Sequence, residues 1–365
     1  MNKAINNRWR KILSNFELEG TPVEISRLGK GLINDTFRLR IVEPDLPDYV
    51  VQRINSDVFK DVDKMQHNID RVTAHIRDKM FDRGIPGGPD RVLTFVKSSS
   101  GKSYYEMDGE YWRISKYIDR SKSREDVTPE LAYITGKSFG DFQYMLSDLG
   151  GEPLNETIPN FHNIEFRIEE LQEAVAADKA GRLERVRPLV EELLDRADEM
   201  SLAERLGREG KLTKRITHCD TKVNNILFDE DDNVLCIIDL DTTMPGYVLS
   251  DYGDFIRTAA NTGAEDDKDL DNVGLDMEIF KAFTKGYLEG AKPFLTEMEK
   301  ELLPFGARLL TYMQTIRFLT DYLNGDTYYK TSYPEHNYDR TMAQKRLLDS
   351  LDAHEEEMKE YIDSV

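Results

Sequence analysis

Cysteine is nearly absent from this chain. Cys219 and Cys236 are the only two, too few for a disulfide framework, so reduced thiols are expected. Also missing is any apolar run long enough to span a bilayer, and the opening Met1-Asn2-Lys3-Ala4-Ile5-Asn6 has no apolar core of the secretory kind. A cytoplasmic protein with no membrane partner is therefore expected. The six histidines show no metal-ligand spacing, which argues against zinc. Positive charge is scarce: 49 Lys and Arg face 69 Asp and Glu, a net charge of −20, which argues against nucleic acid as a partner. That balance suits a cationic small molecule, though plain solubility explains it equally well. The acidic clusters Glu191-Glu192 and Asp229-Glu230-Asp231-Asp232 read as solvated faces or turns.

What is present is enough for more than one core: 365 residues, 39% of them hydrophobic. A short helix is expected over 5–16, with Ile5, Trp9, Ile12, Leu13 and Phe16 at helical spacing. Strands follow at 23–28, 36–42 and 49–54, separated by Gly29-Lys30-Gly31 and by Glu43-Pro44-Asp45-Leu46-Pro47-Asp48. A helix is predicted over 61–81, stopped by Gly84 and Pro86, then strands at 91–96, 103–107 and 111–118. From Thr128-Pro129-Glu130, an N-cap with proline in the first turn, the chain turns helical. Helices are expected over 128–147, 164–179 and 182–206, from about Ser250, and over 275–290, 296–323 and 337–362. The polar segment 118–127 is the natural boundary, giving lobes of 1–117 and 118–365.

The chemistry concentrates in His218-Cys219-Asp220-Thr221-Lys222-Val223-Asn224-Asn225, followed by an apolar run ending in Asp239. An acid, an amide five residues later and a second, strand-borne acid form the set that phosphoryl transfer from a nucleotide needs. Asp220 is the candidate base that orients an acceptor hydroxyl; Asn225 and Asp239 are hard oxygen donors for Mg²⁺. Lys222 either steadies the γ-phosphate or is a solvent lysine. Asp241, two residues past Asp239, is a candidate for a second metal or a substrate hydroxyl. The turn at Gly29 and Gly31 lets backbone N–H groups approach phosphates, yet it is no Walker motif and no Rossmann turn. Arg53 on the third strand is the candidate phosphate cation, unless Gln52 faces the phosphates; Arg53 as a surface charge is the plain alternative. Asp251 and Asp254 fit capping of a helix, and Arg257 fits an intrahelical pair.

These residues resemble a known family. His218 to Asn225, Ile237-Ile238-Asp239-Leu240-Asp241-Thr242-Thr243-Met244-Pro245-Gly246, and Asp251-Tyr252-Gly253-Asp254 together look like the aminoglycoside phosphotransferase and choline kinase superfamily. Within it, the run from Ile237 to Gly246 and the form of the His218 to Asn225 loop look most like the N-acetylhexosamine 1-kinases, and Gly31-x-x-Asn34-Asp35-Thr36, Gln52-Arg53-Ile54-Asn55 and Arg317-Phe318-Leu319-Thr320-Asp321-Tyr322-Leu323 also look like that branch. The resemblance implies an α+β, two-lobed protein-kinase-like fold, with an N-terminal antiparallel sheet lobe and a mainly helical C-terminal lobe. It implies ATP and Mg²⁺, with a sugar as the small-molecule substrate, phosphorylated at the anomeric hydroxyl of an N-acetylhexosamine. Nucleotide contacts are then expected at Gly29, Gly31, Asn34, Thr36 and Arg53, and at a hinge, 114–118, through Lys116 and Ile118. Sugar contacts are expected at Asp220, Asp241, Arg317 and Tyr328; the alternative for Arg317 is a surface pair with Asp321. Cys219 departs from the small residue, often Gly, after the His. Gln66, His67 and Asn68 stand where a protein kinase helix has its Glu. A kinase for an amino alcohol or aminoglycoside, and a catalytically silent nucleotide-binding protein, are the other readings.

Overall fold

The structure, a computed structural model, describes residues 3–29, 33–85 and 87–365. It divides into two compact units, one of residues 1–124, 148–159 and 224–244, the other of 125–147, 160–223 and 245–365.

The first unit is built on a six-stranded sheet. Its strands are Lys3–Ala4 (β1), Pro22–Arg27 (β2), Asp35–Ile41 (β3), Tyr49–Ile54 (β4), Tyr105–Met107 (β5) and Glu110–Lys116 (β6), in the order β1-β2-β3-β4-β6-β5. Every pairing is antiparallel, with Phe37 opposite Val51 and Val51 opposite Ile114. Alternation sends Leu39, Tyr49, Val51, Trp112 and Ile114 to one face, where Ile12, Leu13 and Phe16 from the N-terminal helix segment cover them. The helix itself is shorter than the periodicity predicts, Asn7–Leu13, because Asn6 caps it by accepting from the Trp9 N–H. The helix Val62–Asp82 matches its prediction closely; Asp61 caps it, accepting from the Lys64 N–H.

The predicted strand over 91–96 is not one. Residues 88–91 make a single 3₁₀ turn, and the stretch that follows only shadows β6 through Val96 N–H to Ile114 O and Lys116 N–H to Thr94 O. Val92 and Val96 are buried there, and Leu93 and Phe95 half-buried, without a full ladder, which period alone does not distinguish from a strand.

Further along, Ile226–Phe228 and Val234–Ile237 form an antiparallel hairpin whose Ile226, Phe228 and Cys236 are buried. Phe228 exchanges both backbone hydrogen bonds with Lys122. Its acidic turn is what composition suggested: Asp229 accepts from Asp231 and Asn233 N–H groups, and Asp232 pairs with Arg124 and Lys122.

The second unit is mainly helical. Its central element, Leu303–Leu323, is buried along nearly its whole length. The expected helix over 296–323 divides at Leu302, because Pro304 has no N–H to continue the first helix and sits naturally in the first turn of the next. Likewise 182–206 becomes Leu183–Asp195, Ala197–Met200 and Leu202–Arg208, and 337–362 breaks at His354. Helices Pro129–Leu146 and Met277–Ala291 pack backbone to backbone: a Cβ on Gly136 would lie 2.2 Å from Phe283 O, and one on Gly286 2.0 Å from Tyr133 O. No helix of the described residues is long and apolar enough to cross a membrane.

Candidate active site

In the second unit, the strand Arg215–Thr217 delivers the chain into the loop His218–Lys222. Short loops carry backbone N–H groups that need partners, and here the helix Val248–Ala259 supplies them. Asp251 accepts from His218 N–H at 2.9 Å and Cys219 N–H at 2.7 Å, and Gln143 Nε2 donates to it at 2.7 Å. Asp254 accepts from Thr221 N–H at 3.2 Å, and the Thr221 hydroxyl donates to Asp251 O at 2.5 Å. Arg257 Nη2 donates to Asp254 at 2.9 Å and Nη1 to Glu265 at 2.7 Å. Asp251 and Asp254 do not cap their helix, which starts after Tyr247 with no side-chain cap; their carboxylates hold the loop that carries Asp220. The signal available in sequence was their spacing on one helix face, which capping explained equally well.

Burial pushes Asp251 above the usual carboxylate range, only partly offset by His218 and by the hydrogen bonds from the loop and Gln143. Burial would raise Asp254 too, but Arg257 and Lys222 outweigh it and hold that carboxyl below its ordinary value. Lys222 Nζ lies 2.5 Å from Asp220 Oδ1. Burial alone would lower its ammonium, yet Asp220 and Asp254 raise it, so Lys222 stays charged. Cys219 sits at φ 64°, the left-handed region that favours glycine, and burial drives its thiol well above the usual range. It is a structural residue, not a nucleophile.

The same unit holds a half-buried guanidinium. Arg317 donates to Gln314 at 3.2 Å and lies 5.4 Å from the Phe161 ring and 5.7 Å from the Tyr329 ring. Among the described residues no carboxylate pairs with it. Asp321, one helical turn on, is occupied by the N–H groups of Thr327, Tyr328 and Tyr329 and by Asn337. The surface pair Arg317–Asp321 is therefore not formed. Tyr328 is 66% exposed and packs edge-on against Tyr329, which is the tyrosine beside Arg317. His162 stacks on Phe161 at 4.4 Å, and burial, opposed by Asp254 but reinforced by Arg317, Arg167 and Arg257, lowers its imidazole to about 3. Phe161, His162 and Tyr329 were not singled out by sequence reasoning; nothing in their spacing marks them.

In the first unit, the hairpin brings Asn225 and Asp239 together. Ile226 pairs with Ile237, and Ile238 N–H donates to Asn225 O at 2.9 Å, so the two residues flank the open end of one hairpin. Asp239 takes φ 60° and leads into a 3₁₀ turn over Leu240–Thr242. This donor set fits Mg²⁺. An amide oxygen and a carboxylate are hard donors, and Mg²⁺ characteristically takes one or two protein ligands with phosphates and water. No group of three His, Cys, Asp or Glu able to cage a metal occurs among the described residues.

The sheet decides between Gln52 and Arg53. Arg53 lies on the Val51 and Trp112 face, 43% exposed, pairing with Asp35 and with Glu110 at 3.1 Å. Its pairing with Asp35 keeps that carboxyl below its ordinary value. Gln52 lies on the opposite face with Thr36 and Arg113, and the buried cation there is Arg113. Arg113 Nη1 is 2.6 Å from Asp241 Oδ1, and Asn34 Nδ2 donates to Asp241 Oδ2 at 2.7 Å. Asp241, expected to bind a second metal or a substrate hydroxyl, is instead 2% exposed and has an intramolecular partner at each oxygen. Asn68, in the place of the absent helix Glu, donates to Asn155 O and Thr243 O. Gly29 takes φ 69° and has open space around it, whereas Gly31 lies outside the described residues. At the end of β6, the Lys116 N–H is taken by Thr94 O, and Ile118 O accepts from the Ser121 hydroxyl at 2.6 Å.

The model of the phosphotransferase enzyme family, APH, matches residues 24–283. Among solved structures, the aminoglycoside phosphotransferase from Alicyclobacillus acidocaldarius subsp. acidocaldarius DSM 446 is 12% identical with a TM-score of 0.62, covering 98% of this chain and 96% of its own. Spectinomycin phosphotransferase APH(9)-Ia, in complex with ADP and spectinomycin, is 13% identical with a TM-score of 0.54, covering 92% and 94%. Choline kinase from Cryptosporidium parvum Iowa II is 15% identical with a TM-score of 0.52, covering 98% and 97%. At these identities the likeness concerns the fold, which is kinase-like, with an N-terminal antiparallel sheet and a mostly helical remainder.

Proposed function

The chain belongs to the phosphotransferase enzyme family, and from that footing we propose that it is an ATP- and Mg²⁺-dependent kinase that phosphorylates the anomeric hydroxyl of an N-acetylhexosamine. Asp220, braced by its ion pair with Lys222, orients the acceptor hydroxyl and takes up its proton late in the transfer. The bond between the γ-phosphorus and the bridging oxygen breaks, a new bond forms to the sugar oxygen, and ADP leaves with the bond electrons. Asn225 and Asp239 would hold Mg²⁺, which neutralises charge on the phosphates when bound. Gly29, Gly31 and Thr36 would line the phosphates, and the backbone at Lys116 and Ile118 would meet the base.

The observation that carries the acceptor half is Arg317. A half-buried guanidinium without a carboxylate partner among the described residues, flanked by the Phe161 and Tyr329 rings and a neutral His162, disfavours a cationic acceptor and suits one offering oxygen lone pairs and C–H faces. Tyr328, exposed beside Tyr329, would close over the ring. A kinase for a cationic alcohol is the second reading, favoured by the net charge of −20 and by the spectinomycin and choline kinases among the similar structures. Purified protein with ATP and Mg²⁺ is offered GlcNAc and GalNAc in parallel with choline, ethanolamine and spectinomycin, following ADP and the sugar 1-phosphate. Turnover on the amines and none on any N-acetylhexosamine would reject the sugar reading.

A further inference from the structure

A polar chain crosses the first unit, buried at Arg113, Asp241 and Asn34, and one of its members stands two residues from Asp239. Thr36, Gln52 and Arg113 are cross-strand neighbours on β3, β4 and β6. Gln52 Nε2 donates to Thr36 Oγ1 at 3.1 Å, and Arg113 Nε donates to Gln52 Oε1 at 2.9 Å. Arg113 then meets Asp241 through an ion pair of 2.6 Å whose angles fall outside hydrogen-bond geometry, both side chains being 3% exposed. From the other side Asn34 donates to Asp241 while its own Oδ1 accepts from Asn55 N–H at 3.0 Å. The amide of Asn34 is thus engaged at both ends, which fixes its orientation. Asn34 immediately precedes β3, and Asp241 is two residues past Asp239.

A buried carboxylate beside a buried guanidinium is costly to assemble and very costly to break, and a hydrophobic pair would be the simpler filler. Such a pair earns its place when it sets a register. We propose that Arg113, Asp241 and Asn34 form a positioning clasp that ties the start of β3 to the stretch carrying Asp239, the acid assigned above to Mg²⁺. In this arrangement Asp241 is the hub of the clasp and not itself a ligand, and Arg113 replaces the strand lysine and helix glutamate of protein kinases as the buried ion pair. The proposal rests on the kinase reading above, since it assigns the clasp to Mg·ATP.

The test is calorimetric binding of a non-hydrolysable ATP analogue, with and without Mg²⁺, to wild type, Asn34→Ala and Arg113→Lys, alongside the melting temperature of each free protein. Loss of a residue that orients a metal ligand typically weakens metal affinity 10–100-fold. The Mg²⁺-dependent gain in nucleotide affinity should therefore shrink by roughly tenfold or more in both variants, over and above any change in affinity without metal. Asn34→Ala removes no charge and keeps the test decisive if Arg113→Lys fails to fold. A full Mg²⁺-dependent gain in the variants, or equal loss with and without metal, overturns the clasp. Wild-type protein that binds no Mg·nucleotide overturns the kinase reading, a result visible before any variant is measured.

Discussion

In the sheet unit one polar chain runs side chain against side chain: Thr36, Gln52, Arg113, Asp241 and Asn34 hold one another across four segments of chain, with a backbone group, Asn55 N–H, only at its end. In the helical unit the corresponding work is side chain against backbone: Asp251 and Asp254 hold N–H groups of His218, Cys219 and Thr221. The contrast follows from what each unit must position. Strands already have their backbone groups paired by the ladder, so only side chains remain to be placed. A loop has unpaired N–H groups, and a buried carboxylate aimed at them sets the path of the main chain itself.

The comparison breaks most sharply at Asp220, which neither device uses as a brace. Asp220→Asn should lower turnover by roughly 10²–10⁴-fold, the usual contribution of a positioned acid–base group, while Mg·ATP binding by calorimetry stays near wild type. Lost nucleotide binding would mean that the residue serves the phosphates instead.

Asp251→Ala probes the backbone device. It strands two loop N–H groups and Gln143 in a buried site, so urea unfolding should show a loss of about 3 kcal/mol or more, each unsatisfied buried group costing about 1–3 kcal/mol. Turnover should fall with it; unchanged stability would show that the loop holds its own shape.

Arg317 belongs to neither device, because no carboxylate among the described residues holds it. Arg317→Ala should raise the KM for the acceptor by roughly ten- to a hundredfold, the worth of a hydrogen bond from a charged donor, with the KM for ATP unaltered. A change confined to thermal stability would move the acceptor contact elsewhere.

The smallest effect concerns His162. Unfolded, its imidazole protonates near 6.5; folded, burial and the neighbouring arginines lower it to about 3. Between those values the unfolded chain binds the extra proton, so His162 makes stability fall as pH falls through that window. Melting temperature followed from pH 7 to pH 4.5 should drop less steeply in His162→Asn than in wild type. Identical slopes would show that His162 titrates normally in the folded protein.

Much of the sheet was readable in advance, because strands β2, β3 and β4 alternate cleanly and are bounded by Gly and Pro turns. The motif loop was readable because an acid and an amide five residues apart, before a strand ending in Asp239, is a rare coincidence of residue types. The partners of the motif were not. Arg113 reads as one of three polar residues alternating along a strand, and only the register that sets Gln52 opposite it identifies the face it shares with Thr36 and not with Arg53. Asp251 and Asp254 read as caps because helix termini attract acids whether or not a loop lies against them.

By itself, then, the sequence determined the strand alternation, the helical character from Thr128 onward, and the presence of Asp220, Asn225 and Asp239 in one short stretch. These follow from local periodicity and covalent spacing. Only the tertiary structure decided that 148–159 and 224–244 join the sheet unit, that Asp241 faces Arg113 and Asn34, and that Tyr329 is the tyrosine beside Arg317. Each of those is a choice of partner between residues distant in sequence, made by burial and charge pairing that no local pattern encodes.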